Sequence, residues 1–366
     1  MSPVRMRKVI DDAGAESVVE AALAKAADGG SRVVVAVVDP SGEVIELRRT
    51  PGAQIASSRV AVDKARTAAI FVRPSRELEE QVSSGRLGAL ALHGARALTG
   101  GVPLVVEGEV VGAVGTSGET PAEDEAISYA GAGAEVSTNQ VPELTYAGAR
   151  RAAEAVAAEA TRRGVFPVAA VVDSGGELVY LWRPDRAQVA SVGVATDKAR
   201  TAAVYRRPSK DFEEQASNGR PSALHLARAV PLQGGIPIVY GGEVVGAIGV
   251  SGASSADEDQ ELALLGAAAV HTTAAPSHHA AGSSGLVLET PRYQVDFARR
   301  DESGEVELHA DVTDVMVALD GEATLEAGEK TFRLQPGDVL VVPNGVPHRF
   351  VEVTPPFEYR VVKVGA

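Results

Sequence analysis

The sequence predicts an α+β protein: one domain of antiparallel sheet and helices, present twice, followed by a small all-β barrel or jelly roll. Three observations carry this. The heptapeptide DKARTAA occurs at Asp63–Ala69 and again at Asp197–Ala203, 134 positions on. The same offset carries Val37–Asp39 onto Val171–Asp173, Pro74–Ser75 onto Pro208–Ser209 and Gly108–Ala113 onto Gly242–Ala247 without a gap. Solenoid repeats span only about 20–50 residues, so this is duplication of a whole folding unit. Within each copy, hairpin patterns are segregated from helical ones, the mark of an antiparallel sheet with helices packed on it. From Leu286 onward, short alternating runs are punctuated by turns at Asp320-Gly321, Ala327-Gly328, Gly337-Asp338 and Asn344-Gly345, as in a small barrel.

The elements follow in order. Ala15–Ala27 is helical, with Val18, Ala22 and Ala26 at four-residue steps and Gly29-Gly30 as the stop. Arg32–Val38 is a nearly continuous β-branched run, hence a buried strand. Asp39-Pro40-Ser41-Gly42 turns the chain into a return strand over Glu43–Arg48. Ser57–Phe71 is a helix, Pro74–Gly85 a polar loop or short helix, and Leu87–Ala97 helical. Val102–Val106 and Glu109–Gly115 form a second hairpin. A last helix opens with the acidic cluster Glu123-Asp124-Glu125, placed where the helix dipole favours it. The expected boundaries are 1–137 and 138–272 for the two copies, a linker over 273–285, and the β domain over 286–366. In the linker, His278-His279 lacks the rigid outer support that metal-binding histidines need, and reads as solvated.

Composition narrows the function. With 366 residues and a net charge of −14, the chain is large enough for several domains and repels phosphate backbones and anionic lipid. Nucleic acid and membrane are therefore not expected partners. The absence of cysteine excludes disulfides, thiolate metal sites and Cys nucleophiles. The charged N-terminus lacks the apolar run of a signal peptide, and the expected location is the cytoplasm. No nucleotide-binding loop, dinucleotide fingerprint or Ser-His-Asp set is present.

In the β domain, Gly337, Pro343, Gly345 and His348 are spaced G-x5-P-x-G-x2-H, and Glu307-x-His309-x4-Asp314-x6-Gly321 precedes them. On a strand, Glu307 and His309 share a face. This segment resembles the cupin superfamily over about Val287–Val364. The resemblance implies one divalent metal, Fe, Mn, Ni or Zn, held by Glu307, His309, Asp314 and His348, with Glu in place of a first His and Asp in place of a Glu. A metal-free cupin used for ligand binding or dimerisation is the alternative.

In the duplicated domain, Ala61, Lys64, Ala65 and Ala68 fall at i, i+3, i+4 and i+7, which places Lys64 inside an alanine stripe; Lys198 sits likewise among Ala195, Ala199 and Ala202. A buried unpaired ammonium is costly. Each lysine therefore anchors a bound anion, snorkels to the helix rim or pairs with an internal aspartate such as Asp39. Arg66 and Arg200, each three residues after an aspartate, are surface ion pairs worth about 0.3–0.5 kcal/mol or ligand contacts. Arg73 and Arg207, ahead of the PS turns, are candidate carboxylate grips. Gly101 and Gly235 allow close approach of a ligand or a neighbouring strand. His93 and His225 are candidate ligand contacts at non-equivalent positions, since the offset places Ala227 opposite His93.

The string A-x2-KA-x-TA, PS, GG-[VI]-P and GEVVGA-[VI]-G-x-SG resembles the HbpS/GlcG-like family, which includes heme-binding and heme-degrading proteins and the C-terminal domain of PduO-type corrinoid proteins. The resemblance covers nearly all of both copies. The expected function is an enzyme acting on a small anionic molecule, aromatic or polyketide-like. Lys64 or Lys198 would be its anchor and proton donor, with one asymmetric site where the diverged copies meet. A heme or corrinoid carrier, sensor or degrader is the alternative, and a non-catalytic scaffold the third. Self-association through the cupin or the duplicated domains is also expected.

Overall fold

The computed structural model describes residues 2–271, 284–289, 293–308 and 312–365. Met1–Ala267 form one compact unit and Ala268–Ala366 a second.

In the first unit each copy opens with a strand, β1 (Val4–Ile10), followed by α1 (Asp12–Asp28), β2 (Val34–Val38), β3 (Val44–Arg49), α2 (Ser57–Phe71), α3 (Arg76–Ser83), a 3-10 turn over Leu87–Ala91, β4 (Gly101–Val106), β5 (Glu109–Ser117) and α4 (Pro121–Ala132). The second copy repeats this as β6 (Thr138–Leu144), α5 (Tyr146–Arg163), β7 (Val168–Asp173), β8 (Leu178–Trp182), α6 (Ser191–Tyr205), α7 (Lys210–Ser217), a 3-10 turn over Pro221–His225, β9 (Gly235–Tyr240), β10 (Glu243–Ser251) and α8 (Ala256–Ala269). Each copy holds a four-stranded antiparallel sheet, in the orders β3-β2-β5-β4 and β8-β7-β10-β9.

The continuous β-branched run of β2 is explained by burial on both faces. Val33, Val35 and Val37 pack with Val18, Ala22 and Ile127 of α1 and α4. Val34 and Ala36 pack with Ala61, and Val38 with Ala65 and Ala68, all three alanines on α2. Small side chains let α2 lie close on the sheet. The expected helix over Leu87–Ala97 is only the 3-10 turn Leu87–Ala91, and Gly94 adopts the left-handed conformation (φ +74°), which a continuing helix excludes.

β1 and β6 were not anticipated. They pair antiparallel with Arg7 opposite Val141, and those two residues are themselves 134 positions apart, so an approximate dyad passes between them. The ribbon joins the copies, reinforced by Arg5 and Arg7 on Glu143 (2.6 and 2.7 Å).

In the second copy Glu159 of α5 accepts from Arg162 and Arg163, and Arg163 reaches Glu261 of α8 at 2.8 Å. Hydrogen bonding from Arg162, then Arg163, holds the Glu159 carboxyl down at about 2. A depressed carboxyl contributes stability that is present above its unfolded value and lost as pH falls through the folded one. Urea denaturation of the wild type should therefore lose stability more steeply than Glu159→Gln between about pH 5 and pH 3. Parallel pH profiles for the two proteins would refute this.

The second unit is all β: β11 (Ser284–Glu289), β12 (Tyr293–Arg300), β13 (Val312–Ala327), β14 (Lys330–Leu334), β15 (Val339–Val342) and β16 (His348–Gly365). The order is β11-β12-β16-β13-β14, with β15 on β13. Its core contains Met316, Leu325, Phe350, Phe357 and Tyr359. Of the expected linker, residues 273–283 lie outside the described residues, His278 and His279 with them, and Ser284-Gly285 open β11.

Candidate functional site

The hairpin turns and the alanine-rich helices build a cavity between the two copies. Asp39 begins the β2–β3 turn, and its Oδ1 accepts from the backbone N–H of Ser41 (2.8 Å) and Glu43 (2.9 Å). Burial raises the Asp39 carboxyl above its usual range, and these N–H donors offset part of that. Asp173 does the same in the second copy, accepting from Glu177 N–H at 2.9 Å. Each turn presents a carbonyl to the arginine of the neighbouring helix. Arg66 Nε donates to Gly42 O at 3.0 Å, and Arg200 Nε to Gly176 O at 3.1 Å.

Both arginines line one cavity of about 800 Å³, together with Glu43, His93, Glu177 and Arg228. That volume lies within the roughly 300–1,000 Å³ typical of small-molecule sites. Ile70 and Phe71 supply apolar wall. The two halves are unequal. His93 has Ala227 as its counterpart, Gly94 has Arg228, and Ser41 has Gly175. Glu43 lies 3.7 Å from Arg66 and accepts from Arg228 at 2.9 Å. Arg200 pairs with Asp197 at 3.2 Å, the expected i,i+3 contact. In the first copy Asp63 turns instead to Arg96 at 3.5 Å.

Other expected site residues lie elsewhere. Lys64 donates to Thr116 O (2.9 Å) and Asp124 Oδ2 (2.7 Å), and Lys198 to Val250 O (3.0 Å) and Asp259 Oδ2 (2.8 Å). Both side chains are about 5% exposed. The anion beside each ammonium is thus an internal carboxylate, which replaces the expected bound ligand and also the expected partner Asp39. Burial raises the Asp124 carboxyl, although Lys64 and two backbone N–H groups act against it. The partner positions differ by 135 rather than 134, so the second copy carries one extra residue in the turn before α8.

Gly101 and Gly235 face helix backbone, not a ligand. A Cβ on Gly101 would stand 2.0 Å from Lys64 O, and one on Gly235 2.2 Å from Lys198 O. Arg73 stacks toward Phe71 (5.9 Å) and lies 3.8 Å from Glu77. Arg207 lies 4.0 Å over the Phe212 ring and borders a smaller cavity with Arg220. His225 ends an exposed 3-10 turn. Other differences between the copies, Arg48/Trp182, Val72/Arg206, Thr99/Gln233 and Val106/Tyr240, do not line the shared cavity. Arg228, Glu43 and Glu177, which do, were missed, although the Gly94-to-Arg228 difference was readable from the gap-free repeat.

In the β unit, Asp314 of β13 and His348 of β16 come together, with side chains 2% exposed and Oδ2 to Nε2 at 3.5 Å. His348 Nδ1 lies 3.2 Å from Val346 O; a carbonyl only accepts, so that nitrogen carries a proton. Glu307 pairs through its backbone with His348, and its carboxylate takes Arg300. His309 lies outside the described residues. Among the described residues no group of three His, Asp or Glu is placed to hold a metal. Of the four expected ligands, the described residues bring Asp314 and His348 together, while the Glu307 carboxylate is engaged by Arg300. No helix among the described residues is long and apolar enough to cross a membrane.

Two α+β modules joined about a dyad, with a cavity between them and an all-β unit after them, define a tandem-duplicated protein carrying a barrel-type appendage. The chain belongs to the family described as "Haem degrading protein HbpS-like", whose model matches residues 10–133 and 144–268. A cupin-domain model matches residues 294–362. Protein GlcG of Escherichia coli K12 is 42% identical over 82 residues, 22% of this chain and 61% of GlcG, so the chain spans about three fifths of that relative. An uncharacterised 15.0 kDa protein of Citrobacter freundii is 33% identical over 130 residues, 34% of this chain and 91% of its own length. The crystal structure of a double mutant of HbpS from Streptomyces reticuli is 33% identical, covering 36% of this chain and 88% of that one, with a TM-score of 0.34.

Proposed function

We propose that the duplicated domains bind and transform one small organic anion per chain, in the cavity on the dyad. The observation that carries this is the convergence of Arg66, Arg200 and Arg228 on one cavity with an apolar wall. Carbonyl anchoring of Nε on Arg66 and Arg200 orients each fork before a ligand arrives, so less side-chain entropy is lost on binding. Phe71 and Ile70 suit an aromatic or polyketide-like body, and His93 and Glu177 are cavity groups able to move a proton. Arginine thus takes the role expected of lysine. The cupin would contribute a second pocket, or a metal held through Asp314 and His348. Apolar residues exposed at equivalent positions in both copies, Ile55 with Val189 and Leu90 with Leu224, support self-association.

The test uses the full chain and 1-naphthoate, a fluorescent aromatic carboxylate. A charged hydrogen bond contributes about 1.5–3 kcal/mol, so Arg66→Ala and Arg200→Ala should each weaken binding about tenfold to a hundredfold. Wild-type affinity in both variants refutes the site.

Heme handling is the second reading. The family description favours it, and the cavity residues fit such a group: one imidazole, His93, would hold the iron and three guanidinium groups would hold the propionates. Bound heme would supply iron redox chemistry, and these side chains would orient it. Absorption titration with hemin should give a Soret band that His93→Ala shifts or abolishes. A band unchanged by that substitution assigns the iron ligand elsewhere.

A further inference from the structure

The two halves of the cavity differ most at one position. Gly94 in the first copy and Arg228 in the second occupy the same left-handed backbone conformation, with φ of +74° and +60°. That conformation suits glycine and disfavours residues with a Cβ, so an arginine there is strained. The side chain reaches across the dyad. Its Nη1 donates to Glu43 of the other copy at 2.9 Å, and its Nη2 to Gly175 O at 2.5 Å.

The loop that carries it is held on both sides. Tyr205 OH donates to Ala227 O at 2.7 Å, and Val230 N–H donates to Thr201 Oγ1 at 2.8 Å. The first copy has the second tether, from Arg96 N–H to Thr67 Oγ1 at 2.8 Å. It has Phe71 in place of Tyr205 and so lacks the hydroxyl. The tyrosine and the arginine thus both belong to the second copy, Arg228 lining the cavity and Tyr205 tethering the loop that carries it.

We propose that Arg228 is the specificity-determining residue of this site: it selects ligands with an anionic head, and Glu43 occupies its guanidinium until such a head displaces it. The inference rests on the cavity being the ligand site. Glu43 faces two guanidinium groups, Arg66 and Arg228. A carboxylate entering between them is repelled by Glu43 until that side chain, 52% exposed, swings outward. Arg228 stays in place because the bond from Nη2 to Gly175 O does not depend on Glu43. Pairing across the dyad also makes the site single, because Gly94 offers no guanidinium to the equivalent carboxylate Glu177.

Titration of the full chain with 1-naphthoate tests this in wild type, Glu43→Gln, Arg228→Gly and the double variant. Arg228→Gly places at 228 the residue and conformation already present at Gly94, so the fold is expected to persist, and circular dichroism checks it. Removing the competing carboxylate should tighten binding about tenfold, and removing the guanidinium should weaken it by a similar factor. In the double variant the gain from Glu43→Gln should shrink to the smaller part due to Arg66 and to relief of repulsion. A gain of full size without Arg228, or wild-type affinity in Arg228→Gly, overturns the proposal while the cavity reading stands. No binding by any of the four proteins overturns the cavity reading, and this inference with it.

Discussion

Lys64→Met is expected to destabilise the duplicated unit by about 3–5 kcal/mol, the cost of leaving one member of a buried ion pair uncompensated. The ammonium is buried and bonded to Asp124 and to the Thr116 carbonyl. Without it, Asp124 sits in low dielectric with only backbone N–H donors, Glu119 N–H among them at 3.1 Å. Its carboxyl, already raised by burial, would rise further. A raised carboxyl costs nothing below its unfolded value and progressively more as pH climbs toward its folded one. The deficit of Lys64→Met should therefore shrink toward about pH 4 and be full at pH 7. Replacing both partners, as Lys64→Met with Asp124→Leu, should recover most of the loss, because two apolar groups leave no orphaned charge. Urea denaturation across pH measures all three. A deficit below about 1 kcal/mol, or one independent of pH, would show that the pair is solvated rather than structural. Affinity for 1-naphthoate should be unchanged in the folded variant, since Lys64 does not line the shared cavity.

Gly101→Ala should be comparably severe for a different reason. Its Cβ would meet Lys64 O at 2.0 Å and Lys64 C at 2.5 Å. Both are backbone atoms of α2, so no rotamer change relieves the overlap. Strand and helix must separate, disturbing the alanine contacts that hold α2 to the sheet. Overpacking of this kind costs about 1–3 kcal/mol in ordinary cores and more where backbone must move, so a loss of about 3 kcal/mol or greater is expected. Gly88→Ala is the control: nothing lies within 4 Å of that position, and the change should stay within about 0.5 kcal/mol. Equal midpoints for the two variants would falsify the close-approach account.

These two cases show what was legible in the sequence. The lysine's place in an alanine stripe was readable at helical spacing, while snorkelling to the helix rim stayed open beside burial. Its partner was not, because Asp124 lies 60 residues away and meets it only once β5 and α4 have folded. The glycine pair announced a close approach without saying to what. The helix Ser57–Phe71 and both sheet hairpins were visible because apolar periodicity and turn residues agree there. The stretch Leu87–Ala97 misled because Leu87 and Leu90 are spaced for a helix while Gly94 breaks it. In β1, Val4, Met6 and Ile10 alternate with Arg5, Arg7 and Val9, a period-two signal that Lys8 interrupts. The cavity was foreseen as a meeting place of diverged copies, yet most of its lining was not. Turn carbonyls that aim Arg66 and Arg200 leave no mark in composition.

The ribbon between β1 and β6 has one more consequence. Its first strand is basic, with Arg5, Arg7 and Lys8, and its second supplies Glu143. Were a lone N-terminal module to mate with its own twin across the same dyad, Arg7 would face Arg7, and like charges directly opposite are unfavourable. The mixed couple is thus chosen over self-mating by the chain's own electrostatics. Tethering then ensures that every histidine or arginine acquired by one half meets a different half, so a lopsided chamber can evolve without symmetric by-products.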